Sequence, residues 1–146
     1  MTTLDVEHTV VAPAADVWAV LADFGVFLEW ATGGVGSVEV SGDGIGMCRH
    51  LDIPGLGKVS ERLEALDEEA MCLEYALLEA GPSGLQSYRA RVQVVPLDAN
   101  SCRVHWRGEF EPLDGTDAST VGAGLADAYQ AMSAGLQDYA SARVTQ

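Results

Sequence analysis

Positive charge is scarce in this chain. Eight Lys and Arg residues stand against 22 Asp and Glu, a formal charge of −14 over 146 residues. A field of that sign repels phosphate backbones and anionic headgroups, so neither nucleic acid nor membrane insertion is expected of it. Cysteine is sparse too. Cys48, Cys72 and Cys102 are an odd, widely spaced set without a CxxC, which argues against a disulfide framework and for a reducing compartment. His8, His50 and His105 are single and dispersed, and each reads as an exposed strand residue. With no cluster of Cys, His and carboxylates at ligand spacing, neither a metal nor a cofactor is expected. No run approaches the roughly 18 apolar residues of a membrane span. The opening Met1–Thr2–Thr3–Leu4–Asp5 lacks the basic and apolar regions of a signal peptide, so the expected location is cytoplasmic.

What the chain does have is a large apolar fraction, 48%, arranged in two periods. Leu4, Val6, His8 and Val10 alternate with Asp5, Glu7 and Thr9, which predicts a first strand ending near Ala12. Pro13 opens a helix with Val17, Val20, Leu21 and Phe24 at helical spacing, and Gly25 breaks it. A second short helix through Phe27, Leu28 and Trp30 ends at Thr32–Gly33–Gly34. From there to about residue 112 the period is two. Turn signals at Ser41–Gly44, Pro54–Gly57, Asp67–Glu69, Gly81–Gly84 and Pro96–Asn100 separate six strands. Nothing between them is long enough for a crossover helix, so they form an antiparallel meander. Val121, Leu125, Ala128, Met132, Leu136 and Tyr139 then predict a closing helix of about 25 residues, nearly 38 Å long at ~1.5 Å per residue. The order is strand, two short helices, six strands, long helix: an α+β fold, read as one domain over 1–146, in which one antiparallel sheet packs on one major helix.

Alternation also sorts residues by face. Cys102, Val104, Trp106, Gly108 and Phe110 oppose Arg103, His105, Arg107 and Glu109. Tyr88, Ala90, Val92 and Val94 oppose Arg89, Arg91 and Gln93, while Leu73, Tyr75 and Leu77 oppose Cys72, Glu74 and Ala76. The solvated convex side reads as acidic. The concave side is apolar, yet in KVSERLEAL (58–66) it places Glu61 between Val59 and Leu63, and in Gly46–Ile53 it places Arg49 beside Met47 and Leu51. A buried charge costs several kcal/mol if unpaired. Either Arg49 and Glu61 pair inside a filled core, or sheet and helix leave a cavity where these groups meet a ligand.

Several stretches together carry a family likeness. They are VVAPAADVWAVLADF (10–24) with Trp30, GMCR (46–49), VSERLEALD (59–67), SYRARVQVVP (87–96), VHWRGEF (104–110) and GL (135–136). In that order they resemble the START-like, or Bet v 1-like, superfamily (SRPBCC), and within it the bacterial polyketide cyclase/dehydrase-like proteins. The resemblance spans nearly the whole chain and implies a helix-grip fold. In it a seven-stranded antiparallel sheet curls around a long C-terminal helix, two short helices lie between strands 1 and 2, and a cavity separates sheet from helix. It also implies binding of a lipid, sterol, hormone, flavonoid or polyketide, or in some members cyclisation or dehydration. Compared with the plant abscisic-acid receptors, IPGLG (53–57) stands at the gate loop and AGPSGLQSY (80–88) at the latch. Gly81–Pro82–Ser83 lacks the latch histidine and Gly36–Ser37–Val38 offers no lysine, so the receptor function is not carried over.

Three functions follow for testing. The first is binding or carriage of a hydrophobic small molecule, polyketide, lipid, sterol or terpenoid in kind. Its cavity walls would be Phe27, Trp30, Met47, Leu63, Leu77, Val92, Trp106, Leu125 and Met132. Its polar anchors would be Arg49, Glu61, Tyr75, Tyr88 and Tyr129. The second is a cyclase or dehydratase in which Glu61 is the general base and Arg49 or a tyrosine holds the oxyanion. The third is a module that works with a protein partner, for which the sequence supplies no specific signal.

Overall fold

A computed structural model describes residues 1–144 of the chain. The alternating segments form seven strands: β1 (Thr2–Val10), β2 (Ser37–Ser41), β3 (Cys48–Ile53), β4 (Gly57–Asp67), β5 (Cys72–Leu77), β6 (Leu85–Asp98) and β7 (Ser101–Pro112). The sheet order is β1-β7-β6-β5-β4-β3-β2, all antiparallel, so β2 to β7 are the expected meander and β1 closes against β7. Between β1 and β2 lie α1 (Ala14–Ala22), a 3-10 turn (Phe24–Val26) and α2 (Phe27–Ala31). The chain ends in α3 (Ala118–Val144), whose 27 residues rise about 40 Å. This is the helix-grip architecture.

The local reasons are visible in the sequence. Pro13, at φ −58°, has the dihedral a helix start needs, and its carbonyl accepts the amides of Asp16 and Val17 at 3.1 Å. Trp18 on α1 donates its indole N–H to Glu68 Oε2 at 2.6 Å and so fixes the helix to the β4–β5 turn. On α3 the buried line is Val121, Leu125, Tyr129, Ser133, Leu136 and Ala140. It is rotated from the line predicted by apolar spacing. Ala128 is exposed and Met132 half-buried, because Tyr129 and Ser133 turn inward to meet the sheet. Gly135 lets α3 approach α2: a Cβ at that position would clash with the carbonyl oxygen of Trp30.

Three expectations about faces need correction. His8, expected to be exposed, is half-buried on the side of β1 that it shares with Leu4, Val6 and Val10, its Nε2 buried and without a hydrogen-bond partner among the described residues. Cys72 belongs to the convex side yet is buried, since Arg91 lies over it with Nε 3.2 Å from Sγ. That convex side is also not simply acidic. Arg89, Arg103 and Arg107 pair there with Glu74, Glu7, Asp5 and Glu109 in a row of exposed ion pairs.

Candidate functional site

The polar groups of the concave face fall into two sets. The first is built on β3 and β4, where Arg49 and Glu61 stand directly opposite each other. Nε and Nη2 of Arg49 both lie 2.9 Å from Glu61 Oε1, and Nη1 donates to the carbonyl of Phe24 at 3.2 Å. The guanidinium carbon sits 3.9 Å from the centre of the Phe24 ring, 4.4 Å from that of Phe27 and 5.0 Å from that of Tyr75. A desolvated cation over aromatic faces gains up to about 2 kcal/mol. The charge is therefore met by a carboxylate, a carbonyl and three rings. It also holds the turn before α2 against the sheet.

The second set comes from β5, β6 and α3. The hydroxyl of Tyr88 contacts that of Tyr75 at 3.5 Å and hydrogen-bonds that of Tyr129. Tyr129 stacks on Trp106 with ring centres 5.0 Å apart, and the Trp106 indole donates to Ser133 Oγ at 2.8 Å. This explains the small residue in the middle of β7. A Cβ on Gly108 would come within 2.5 Å of the Tyr129 hydroxyl oxygen. Burial pushes the Tyr75 and Tyr88 phenols well above their ordinary value near 10, and the Glu61 carboxylate adds to the effect at Tyr75. Burial likewise pushes Tyr129 up to about 12. All three are neutral hydroxyl groups at physiological pH.

Between the two sets, sheet and α3 leave a cavity of about 150 Å³ with largely apolar walls. Of the residues singled out in the sequence, Phe27, Leu77, Leu125 and Met132 line it, together with the polar groups Glu61, Tyr75, Tyr88 and Tyr129. Trp30, Arg49, Val92 and Trp106 instead surround a deeper void of only about 10 Å³, which Phe27, Tyr75 and Met132 also border. Leu63 and Met47 line neither: Leu63 is buried in the core and Met47 packs half-buried beside it. The structure thus brings Glu61 and the three tyrosines to one space and leaves Arg49 behind the wall.

Other lining residues were not singled out as site residues. Leu51 and Val59 line the cavity, and alternation alone put them beside Arg49 and Glu61. Ile53 ends β3 and Leu56 comes from the β3–β4 loop that follows, while Pro82 and Ser83 come from the β5–β6 loop. Their signal was the resemblance of these loops to a gate and a latch, since no periodicity marks a loop residue as lining. Leu56 and Ser83 are exposed, so the cavity reaches solvent between the two loops. Leu85 and Ala128 complete the rim, and Ala128 is visible there only through the helical spacing of α3.

Comparison with known proteins agrees with this architecture. The protein XoxI from Bacillus cereus superposes with a TM-score of 0.78 at 21% identity, covering 95% of each chain. The Zhui aromatase/cyclase from Streptomyces sp. R1128 gives 0.77 at 22% identity, covering 98% of this chain and 96% of that one. Norcoclaurine synthase from Thalictrum flavum, in complex with dopamine and hydroxybenzaldehyde, gives 0.67 at 22% identity over 90% of this chain and 84% of that one. At such identities the likeness speaks for the fold. A comparison with curated proteins gave no match. The model of the family described as polyketide cyclase / dehydrase and lipid transport matches residues 1–141. The chain belongs to that family, within the START-like, Bet v 1-like superfamily.

Proposed function

We propose that this protein binds and carries a hydrophobic small molecule in the cavity between sheet and α3. The observation that carries the reading is the cavity itself: apolar walls, one carboxylate and three phenols converging on one space that reaches solvent. Glu61 is held by Arg49 and the phenols by one another, which keeps these polar groups in place on the wall of a space that apolar side chains otherwise line. The family's description, which joins cyclases and dehydrases with lipid transport, supports it at the level of class. Native mass spectrometry of freshly purified protein, with identification of what denaturation releases, tests it. The expected result is a co-purifying hydrophobic molecule. An unliganded mass, with no thermal stabilisation by polyketides, fatty acids, sterols or terpenoids, would overturn the proposal.

A second reading draws on the same wall. Glu61 is the one carboxylate lining the cavity among the described residues, and it shares that space with the tyrosine hydroxyls. A cyclase or dehydratase needs a base for a proton α to a carbonyl and a donor for the developing enolate. Glu61 would be the base and a tyrosine the donor, since Arg49 is committed to Glu61 and Phe24. Glu61→Gln should then abolish turnover of a cyclisable poly-ketone while leaving its binding intact. Equal turnover by variant and wild type would remove Glu61 from any mechanism.

A further inference from the structure

The size of the cavity and its unused hydrogen-bonding capacity narrow the ligand, granted the binding reading above. We infer that the cavity takes an uncharged molecule about the size of a single ring, carrying an acceptor oxygen such as a ketone or ester carbonyl that meets the tyrosine hydroxyls.

The volume sets the size. About 150 Å³ is the volume of an apolar protein cavity known to take benzene, and pockets for drug-sized ligands run from roughly 300 to 1,000 Å³. A fused polycyclic ligand exceeds that volume.

Proton counting sets the acceptor. Each hydroxyl brings one hydrogen and two lone pairs. Tyr75, Tyr88 and Tyr129 form a row with two contacts, Tyr75 to Tyr88 and Tyr88 to Tyr129. Whichever way the row is polarised, two contacts use at most two of its three hydrogens. These hydroxyls form no further hydrogen bond among the described residues, and the Glu61 carboxylate is paired with Arg49 through Oε1. One phenolic O–H of the row is therefore left without an acceptor among the described residues, and since all three tyrosines line the cavity, an acceptor on the ligand would satisfy it. Burial keeps the three phenols protonated, so the row remains a donor throughout the neutral pH range.

Charge sets the third property. No Lys, Arg or His lines the cavity. The nearest guanidinium, Arg49, is neutralised by Glu61 at 2.9 Å. An anionic ligand would be buried without a counter-ion, and a cationic one would compete with Arg49 for Glu61.

The test uses four one-ring probes, cyclohexanone, methylcyclohexane, cyclohexanecarboxylate and cyclohexylamine, against wild type and the triple variant Tyr75→Phe/Tyr88→Phe/Tyr129→Phe. Replacing a whole hydrogen-bonded row by apolar groups of the same shape is close to neutral for folding, and circular dichroism checks that the variant is native. Binding is measured by calorimetry. Cyclohexanone should bind the wild type and weaken roughly 5- to 10-fold in the triple variant, the value of one hydrogen bond. Methylcyclohexane should bind the variant at least as well as the wild type, and the two charged probes should not bind. Equal cyclohexanone affinity in both proteins, or binding of a charged probe as tight as that of the ketone, overturns the inference while leaving hydrophobic binding intact. A larger co-purifying ligand with no probe bound overturns the size. No probe bound and nothing co-purifying overturns the binding reading as well.

Discussion

Arg49 and Glu61 are residue-to-residue partners across β3 and β4, joined through a single carboxylate oxygen and both under a tenth exposed. Desolvating two charges costs nearly what their attraction returns, so the pair itself adds little stability. Removing one partner leaves the other charge buried alone, at about 3–5 kcal/mol. Arg49→Met should therefore lower the unfolding free energy in urea by about that amount. Arg49→Met/Glu61→Leu should recover most of it. A double variant as unstable as the single one would mean that the Arg49 contacts with Phe24, Phe27 and Tyr75 matter more than its charge.

Two glycines of α3 separate helix propensity from close approach. Gly124 has nothing within 4 Å of a built Cβ, whereas one on Gly135 would strike the Trp30 carbonyl. Gly124→Ala should stabilise by roughly 0.5–1 kcal/mol through helix propensity alone. Gly135→Ala should destabilise by about 1–3 kcal/mol, because α2 and α3 must move apart. Thermal melts of the two variants should shift in opposite directions.

The contrast shows which parts of this chain were legible in its residues. Period-two alternation fixed the inner face of β5 to β7 to the residue, because a strand has only two sides and one is buried. The helix was less legible. Its buried line passes through Tyr129 and Ser133, a choice made by Trp106 on another element, which needs a stacking partner and an acceptor for its N–H. The oddity of Glu61 was visible at once, but its meaning depended on distance. Only geometry separates a carboxylate on the cavity wall from an arginine behind it. The loop residues Leu56 and Ser83 had no periodicity to betray them, only the likeness of their loops to a gate and a latch, since lining from a loop depends on how the chain returns.

The phenols make stability fall in alkali. For Tyr75, Tyr88 and Tyr129 the folded value lies above the ordinary value near 10. The unfolded chain thus loses these protons first, and the stability they contribute is complete below about pH 10 and declines as pH rises beyond it. Tyr129, at about 12 in the fold, accounts for roughly 2–3 kcal/mol of that decline. Phenolate absorbance from these residues should appear together with loss of tertiary circular dichroism, and Tyr129→Phe should make the alkaline limb shallower. Phenolate signal equivalent to all of them near pH 10 in a still-folded protein would contradict the buried row.

Leu63 and Leu77 tell a cavity from a filled core. They share a concave face, and their cross-strand partners are Tyr75 and Glu61 respectively. Leu63 is 2% exposed and lines neither of the two cavities described above, while Leu77 borders the space of about 150 Å³. Enlarging a side chain in a packed core forces strain of about 1–3 kcal/mol, whereas the same change beside open volume can be absorbed. Leu63→Phe should thus lower the melting temperature, and Leu77→Phe should leave it unchanged or raise it. The added ring at position 77 should also take up part of the ligand's space, so Leu77→Phe should bind one-ring ketones at least tenfold more weakly. Equal destabilisation by both substitutions would mean that the space beside Leu77 is not available to a side chain, and therefore not to a ligand.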